Sequence, residues 1–256
     1  MKYLTINITV IIFISLFQTA FGEKILDKLP SLENPEQMRK FDLEVQRFIL
    51  ENPEVIIEAI KLYQQKKERE ASEVELQLLE SKSKELFEDG YSFIGGNKNG
   101  KIRLVEFIDY KCSYCKQNHE IIWNMLKGNS DVKFIVKEFP ILGPQSVLAA
   151  KALLAILLND THDTYRNFSD ILIKYTGPVN ETVLRTFAKR AGSSIENLVS
   201  AMDSEQVNVI LAKNAALANS LGIQGTPSFV IENQIIRGFI SENEFQKLID
   251  LVRENL

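Results

Sequence analysis

Several protein classes are excluded by what the chain lacks. Its 256 residues include two cysteines and two histidines. So few cysteines exclude a disulfide-stapled scaffold. No basic run breaks the sequence, and a formal charge of −4 gives no signature of a nucleic-acid partner. Past residue 22 no stretch is long and apolar enough to span a bilayer. Glycine is missing altogether from residues 23–88, where few turns are expected. What remains, 45% hydrophobic and 25% charged, is the composition of a globular protein of one or two domains.

The first 22 residues read as an export signal. Lys2 gives a minimal positive start, residues 4–17 are mostly apolar, and Ala20-Phe21-Gly22 offers small residues where a signal peptidase reads. Cleavage is expected before Glu23, and the alternative is a retained anchor. The mature chain is then expected in an exported, disulfide-permissive compartment.

Residues 23–88 read as helical. Leu43, Val45, Phe48 and Ile49, then Val55, Ile56, Ala59, Ile60 and Tyr63, recur at helical spacing. Asn52-Pro53 signals a fresh helix, with Asn as its cap. From Gln64 to Lys84 the texture is polar, so this segment must pack on the rest, oligomerise or extend as an arm.

Gly90 to Gly100 reads as a turn-rich entry to a second region. A strand is expected over 102–108, a helix to about Lys127, and a strand over 132–139 ending at Pro140. Helices are expected over 149–158, 165–175, 181–191, 195–202 and 207–221. A strand over 229–231, a turn at Asn233-Gln234, a strand over 235–237 and a helix over 241–253 complete the order. Strand–helix–strand, a helical interlude over about 145–212, then strand–strand–helix is one α/β layout with an insertion.

Both cysteines fall in Val105-Glu106-Phe107-Ile108-Asp109-Tyr110-Lys111-Cys112-Ser113-Tyr114-Cys115-Lys116. A β-prone run feeds a turn and then a helix, so Cys112 sits at a helix N-terminus, where unpaired N–H groups and the helix dipole favour a thiolate. A bridge closing so small a loop adds little to stability, so reversible disulfide chemistry suits the pair better than bracing. The rival is metal, because Cys-x-x-Cys can hold soft Cu(I) or half a zinc site, and His119 extends it to Cys-x-x-x-His. Lys116 stands where a haem attachment motif needs histidine.

That order of elements, with Cys-x-x-Cys at the first helix and Thr226-Pro227 before the next-to-last strand, resembles the thioredoxin fold with a helical insertion. This is the architecture of the DsbA-like disulfide oxidoreductases. Glu-Phe-Pro-Ile-Leu-Gly-Pro-Gln-Ser at 138–146 and Gly-Thr-Pro-Ser-Phe-Val-Ile at 225–231 are similar to the bacterial branch that includes the suppressor-of-copper-sensitivity C proteins. Leu-Glu-Asn-Pro-Glu-Val-Ile-Ile-Glu-Ala-Ile at 50–60 resembles that branch's N-terminal helical domain.

The resemblance implies roles. Cys112 is expected to attack and Cys115 to resolve the mixed disulfide. Glu106, which strand alternation points away from Val105 and Phe107, is expected to lie buried beneath the pair and exchange a proton with Cys115. Thr226-Pro227 is expected to form a cis-proline loop that receives substrate backbone beside the cysteines. Ser113 and Tyr114 form the dipeptide that tunes the thiolate; oxidases of the family tend to carry Pro-His there. His119 is a candidate modulator, His162 reads as a plain loop residue, and Trp123 as packing.

The implied organisation is a signal peptide over 1–22, an N-terminal helical, oligomerising region over 23–88, and a catalytic domain over 89–256. The implied function is periplasmic thiol–disulfide exchange without a bound cofactor, leaning to isomerase or reductase. Cysteine-containing exported proteins, a membrane redox partner and a homo-oligomer, a trimer by resemblance, are the partners it implies. A monomeric dithiol oxidase and a Cu(I) carrier are the alternatives.

Overall fold

The computed structural model describes residues 34–194, 196 and 198–256. The expected signal peptide over 1–22 lies outside them. The chain divides into two compact units, with the boundary after Arg69.

The first unit is helical. Helix α1 spans Pro35–Glu51, with Asn34 capping it: the side chain accepts from the Glu36 N–H at 2.9 Å, and Pro35 takes the first turn, where its missing donor costs nothing. The break at Asn52-Pro53 is where the sequence places it, but Asn52 faces backwards. Its backbone N–H and its Nδ2 both donate to the Phe48 carbonyl at 2.9 Å, so it closes α1 instead of capping α2, Glu54–Ser81. No residue of α1 is buried, and Met38, Phe41, Val45 and Phe48, spaced three and four apart, are all exposed.

The second unit is built on a five-stranded sheet in the order β1-β3-β2-β4-β5. Strand β1 is Phe93–Gly96, β2 Ile102–Ile108, β3 Val132–Glu138, β4 Ser228–Ile231 and β5 Gln234–Arg237. Only β2 and β3 run parallel, joined by α4, Ser113–Gly128. The other pairings are antiparallel. Strand β2 is apolar on both faces because both are covered. Leu104 and Ile108 look into a core with α4 and the helical layer, whereas Val105 and Phe107 join Leu79 from the end of α2 and Leu86 and Phe87 from α3, Ser83–Phe87. Each such aliphatic side chain taken from water contributes about 1.5–3 kcal/mol.

The interlude is entirely helical: α5 Pro144–Asn159, α6 His162–Lys174, α7 Glu181–Ala191, α8 Leu198–Met202 and α9 Glu205–Ser220. The helix expected from residue 195 is seen from Leu198, and residues 195 and 197 lie outside the described ones. After the β4–β5 hairpin comes α10, Glu242–Glu254, opened by a capping box between Ser241 and Glu244.

Three local expectations are corrected. The turn-rich entry contains β1, an edge strand whose glycines fit close neighbours. A Cβ on Gly95 would lie 2.8 Å from the Trp123 ring, and one on Gly96, at φ +64°, 2.6 Å from the Val132 carbonyl oxygen. The hairpin turn is Glu232-Asn233, one residue earlier than expected. Glu232 adopts φ +47° there, and its carboxylate accepts from the Arg103 backbone N–H and holds the Arg103 guanidinium. His162 is no loop residue: it opens α6 and stacks on Phe93 at 5.2 Å.

Candidate active site

The site sits where β2 ends. Asp109, 1% exposed, organises the turn: one carboxylate oxygen accepts the Lys111 N–H at 2.8 Å, and the other accepts the Ile141 and Leu142 N–H groups at 2.8 and 3.0 Å. An Asp held this way fixes an Asx turn. It ties the cysteine loop to the loop following β3. The Asp109 carbonyl accepts the Cys112 N–H, and Cys112 becomes the N-cap of α4. Asn118, fully buried, holds the helix from its other side, donating to and accepting from the Ile240 backbone.

Cys112 and Cys115 are unbridged thiols. Cys112 is pushed down to about 5, first by a hydrogen bond from the Cys115 thiol and then, against the effect of burial, by the N–H groups of Cys115 and Tyr114 at the open helix end. Cys115, with no exposed surface, is pushed far above the usual thiol range by burial, by its bond to Cys112 and by the Glu106 charge. The two sulfurs thus differ in kind: Cys112, 8% exposed, is the readily ionised thiol, and Cys115, fully covered, is the proton donor.

The chain from β4 returns against this pair. The Thr226–Pro227 peptide bond is cis, and the Thr226 carbonyl oxygen lies 3.1 Å from the Cys112 sulfur. The Pro227 carbonyl accepts the Gly238 N–H, anchoring the loop to the start of the last crossover. Ser113 and Tyr114 are exposed in the first turn of α4, the Tyr114 ring 6.4 Å from that of Phe239. Ile141, Leu142 and Phe239 are likewise exposed, on loops tied to this turn.

Glu106 lies on the α4 side of the sheet, 2% exposed, and burial, then Glu138 and Cys112, push it up to about 8. His119 points elsewhere: its Nε2 is 2.6 Å from the Asp170 carboxylate, which also holds Arg166, and Arg166 covers the Trp123 ring at 3.0 Å. The structure therefore gathers Cys112, Cys115, Thr226, Pro227 and Glu106 and leaves His119 in a layer between α4 and α6. Sequence reading missed Asp109 and Glu138. The Asp three residues before Cys112 was a readable Asx-turn signal, whereas Glu138 stood only as the first residue of the motif at 138–146, with no role attached to it.

The thioredoxin family model matches residues 88–251. The chain belongs to the thioredoxin family. It is 33% identical to a thioredoxin-like oxidoreductase from Silicibacter pomeroyi, with a TM-score of 0.62 over 67% of this chain and 97% of that one. It is similar to the catalytic domain of Proteus mirabilis ScsC, at 27% identity and a TM-score of 0.63, over 68% and 96%. Disulfide bond formation protein D of Bacillus subtilis is 26% identical over 165 residues, 60% of this chain and 74% of that protein. A Na(+)/H(+) antiporter NhaA of Herminiimonas arsenicoxydans is 24% identical over 147 residues, but this thioredoxin-family chain spans only 23% of its length.

Proposed function

We propose that this protein is an exported thiol–disulfide oxidoreductase in which Cys112 attacks and Cys115 resolves. The observation that carries the reading is the inequality of the two sulfurs: Cys112 ionises near 5 at a helix N-terminus, while Cys115 stays protonated and buried above Glu106. A Cys112 thiolate adds to one sulfur of a substrate disulfide and displaces the other as a thiol. Glu106 takes the Cys115 proton, and Cys115 then attacks Cys112 and releases the second substrate thiol. Run in reverse, the same steps oxidise a substrate dithiol.

The Thr226 carbonyl beside Cys112 is suited to pair with an extended substrate backbone. Tyr114, Phe239, Ile141 and Leu142 offer apolar contact to unfolded chains. The substrates are cysteine-containing exported proteins, and a membrane redox partner resets the pair. Export is supported by the leader pattern of residues 1–22. No helix among the described residues is long and apolar enough to cross a membrane.

Within this class the reading leans to isomerase or reductase. A thiol near 5 lies between the values near 7 and 3.5 that accompany reducing and strongly oxidising relatives of the fold. The exposed stripe of Met38, Phe41, Val45 and Phe48 on α1 fits burial against copies of itself, which would bring several sites together. A Cu(I)-carrier reading rests on the two thiols alone, since Asp170 engages His119.

The test is reactivation of scrambled ribonuclease by the mature protein, with Cys112→Ala as control. Recovery that vanishes in the variant supports isomerisation. No recovery from a redox-active pair transfers the protein to the oxidases.

A further inference from the structure

Behind Glu106 lies a second buried carboxyl that the exchange steps leave unused. In the β2–β3 register Glu106 faces Val136, and Glu138 is two residues on, on the same sheet face. Both are almost without exposure, at 2% and 1%. Tyr165 of α6 donates its hydroxyl to Glu138 Oε1 at 2.6 Å, and the neighbouring Tyr110 hydroxyl bonds Ser169 at 2.8 Å. Glu106 Oε1 and Glu138 Oε2 have no hydrogen-bond partner among the described residues.

Among the described residues no cation is paired with either carboxyl. Lys137, next in sequence to Glu138, projects from the other face to Asp89 and the Glu85 carbonyl. Arg166 of α6 is held by Asp170. The other groups around them are the Cys112 and Cys115 thiols, Asp109, Tyr110 and Asn214 of α9, which donates to the Glu138 carbonyl. Two carboxyls enclosed together without a cation cannot both ionise cheaply.

We propose that Glu138 is a positioning residue of the exchange reaction: paired with Glu106 across β2 and β3 and oriented by Tyr165, it sets the proton affinity of the carboxylate that deprotonates Cys115. This rests on the reading of Glu106 given above. Glu138 never touches the sulfurs. Its negative charge makes Glu106 the stronger base, consistent with the upward displacement of Glu106, to which burial contributes first and Glu138 next. The step it governs is balanced. Cys115–SH gives its proton to Glu106, and the Cys115 thiolate forms the S–S bond with Cys112. The Cys112–substrate S–S bond breaks and the electron pair leaves on the substrate sulfur.

The experiment reads the resolving step alone. The mixed disulfide of Cys112 with thionitrobenzoate is prepared, and release of the coloured thiolate is followed against pH. In the unmutated protein two ionisations should shape the profile, because a coupled pair titrates in two macroscopic steps. Glu138→Gln should leave one ionisation, displaced downward by about one pH unit. Tyr165→Phe, which frees Glu138 to keep its proton, should move the profile the same way, and Glu138→Asp should restore it in part. A folded Glu138→Gln protein with an unchanged profile, or one merely slower at every pH, overturns the proposal. Should that variant fail to fold, ¹³C-carboxyl titration of the unmutated protein decides, two glutamate resonances with shared inflections supporting the pair and independent ones overturning it. Glu106→Gln separates the two ideas. If it removes the ionisations while Glu138→Gln moves nothing, only the pairing fails; if it changes nothing, the Glu106 reading fails with it.

Discussion

The Cys115 thiol is the largest cause holding Cys112 near 5, so deleting it should make Cys112 a weaker acid. At that value roughly 99% of Cys112 is thiolate at pH 7. A hydrogen bond to a charged acceptor is worth about 1.5–3 kcal/mol, or about one to two pH units. Cys115→Ala should therefore move the Cys112 inflection to roughly 6–7, leaving the helix N–H groups to supply what remains. Cys115→Ser keeps a donor at the same place and should stay near the starting value. The assay is the pH dependence of iodoacetamide alkylation, quantified by mass. Cys115 is fully buried and far less acidic, so it contributes little signal in the unmutated protein. An alanine variant that still inflects near 5, or a serine variant that behaves like alanine, would refute the account of how the thiolate is held.

Protonation should also link stability to pH. Glu106 and Glu138 are raised from 4.5 to about 8 in the folded protein. The stability they contribute is full below about 4.5 and is lost as pH rises through about 8. Roughly 5 kcal/mol each is the ceiling at about 1.4 kcal/mol per pH unit. Cys112 acts oppositely but only as a free thiol, so denaturant melts of the disulfide form should weaken more steeply over this range than those of the dithiol. Asp109→Ala strands three N–H groups and should cost about 3–5 kcal/mol, read from the same melts. Gly96→Ala meets the Val132 carbonyl at φ +64° and should lower the unfolding free energy by more than about 2 kcal/mol, whereas Gly90→Ala, at φ +77° but with open space around its Cβ, should cost less. Phe41→Glu with Phe48→Glu on the exposed α1 stripe should lower the solution mass measured by light scattering; an unchanged mass argues against assembly through that face.

Much of the fold could be read because its signals are local. Strand β2 is a run of apolar residues ending at a turn, and Cys112 announces the helix it caps. The family match made Thr226 and Pro227 meaningful, which their spacing alone could not. Strand β1 was hidden by its own composition. Gly95 and Gly96 look like a turn, yet they are glycine because Trp123 and the Val132 carbonyl crowd an edge strand. Asn52 was placed at the right break with the wrong direction, since cap geometry depends on which helix the side chain turns towards. Glu138 could not be recognised because what gives it meaning, Glu106 and Tyr165, stands 32 and 27 residues away and is brought to it by the sheet and the insertion.

The most direct test of the central claim is trapping. The reduced Cys115→Ala protein is mixed with a scrambled, disulfide-containing substrate protein, quenched with acid and alkylating agent, and analysed by mass. The account predicts a covalent adduct through Cys112 that dithiothreitol releases, while Cys112→Ala forms none. An unmutated pair that neither forms adducts nor exchanges with glutathione, yet takes up Cu(I) in a mass measurement, would contradict it and leave a metal-binding protein on a thioredoxin fold.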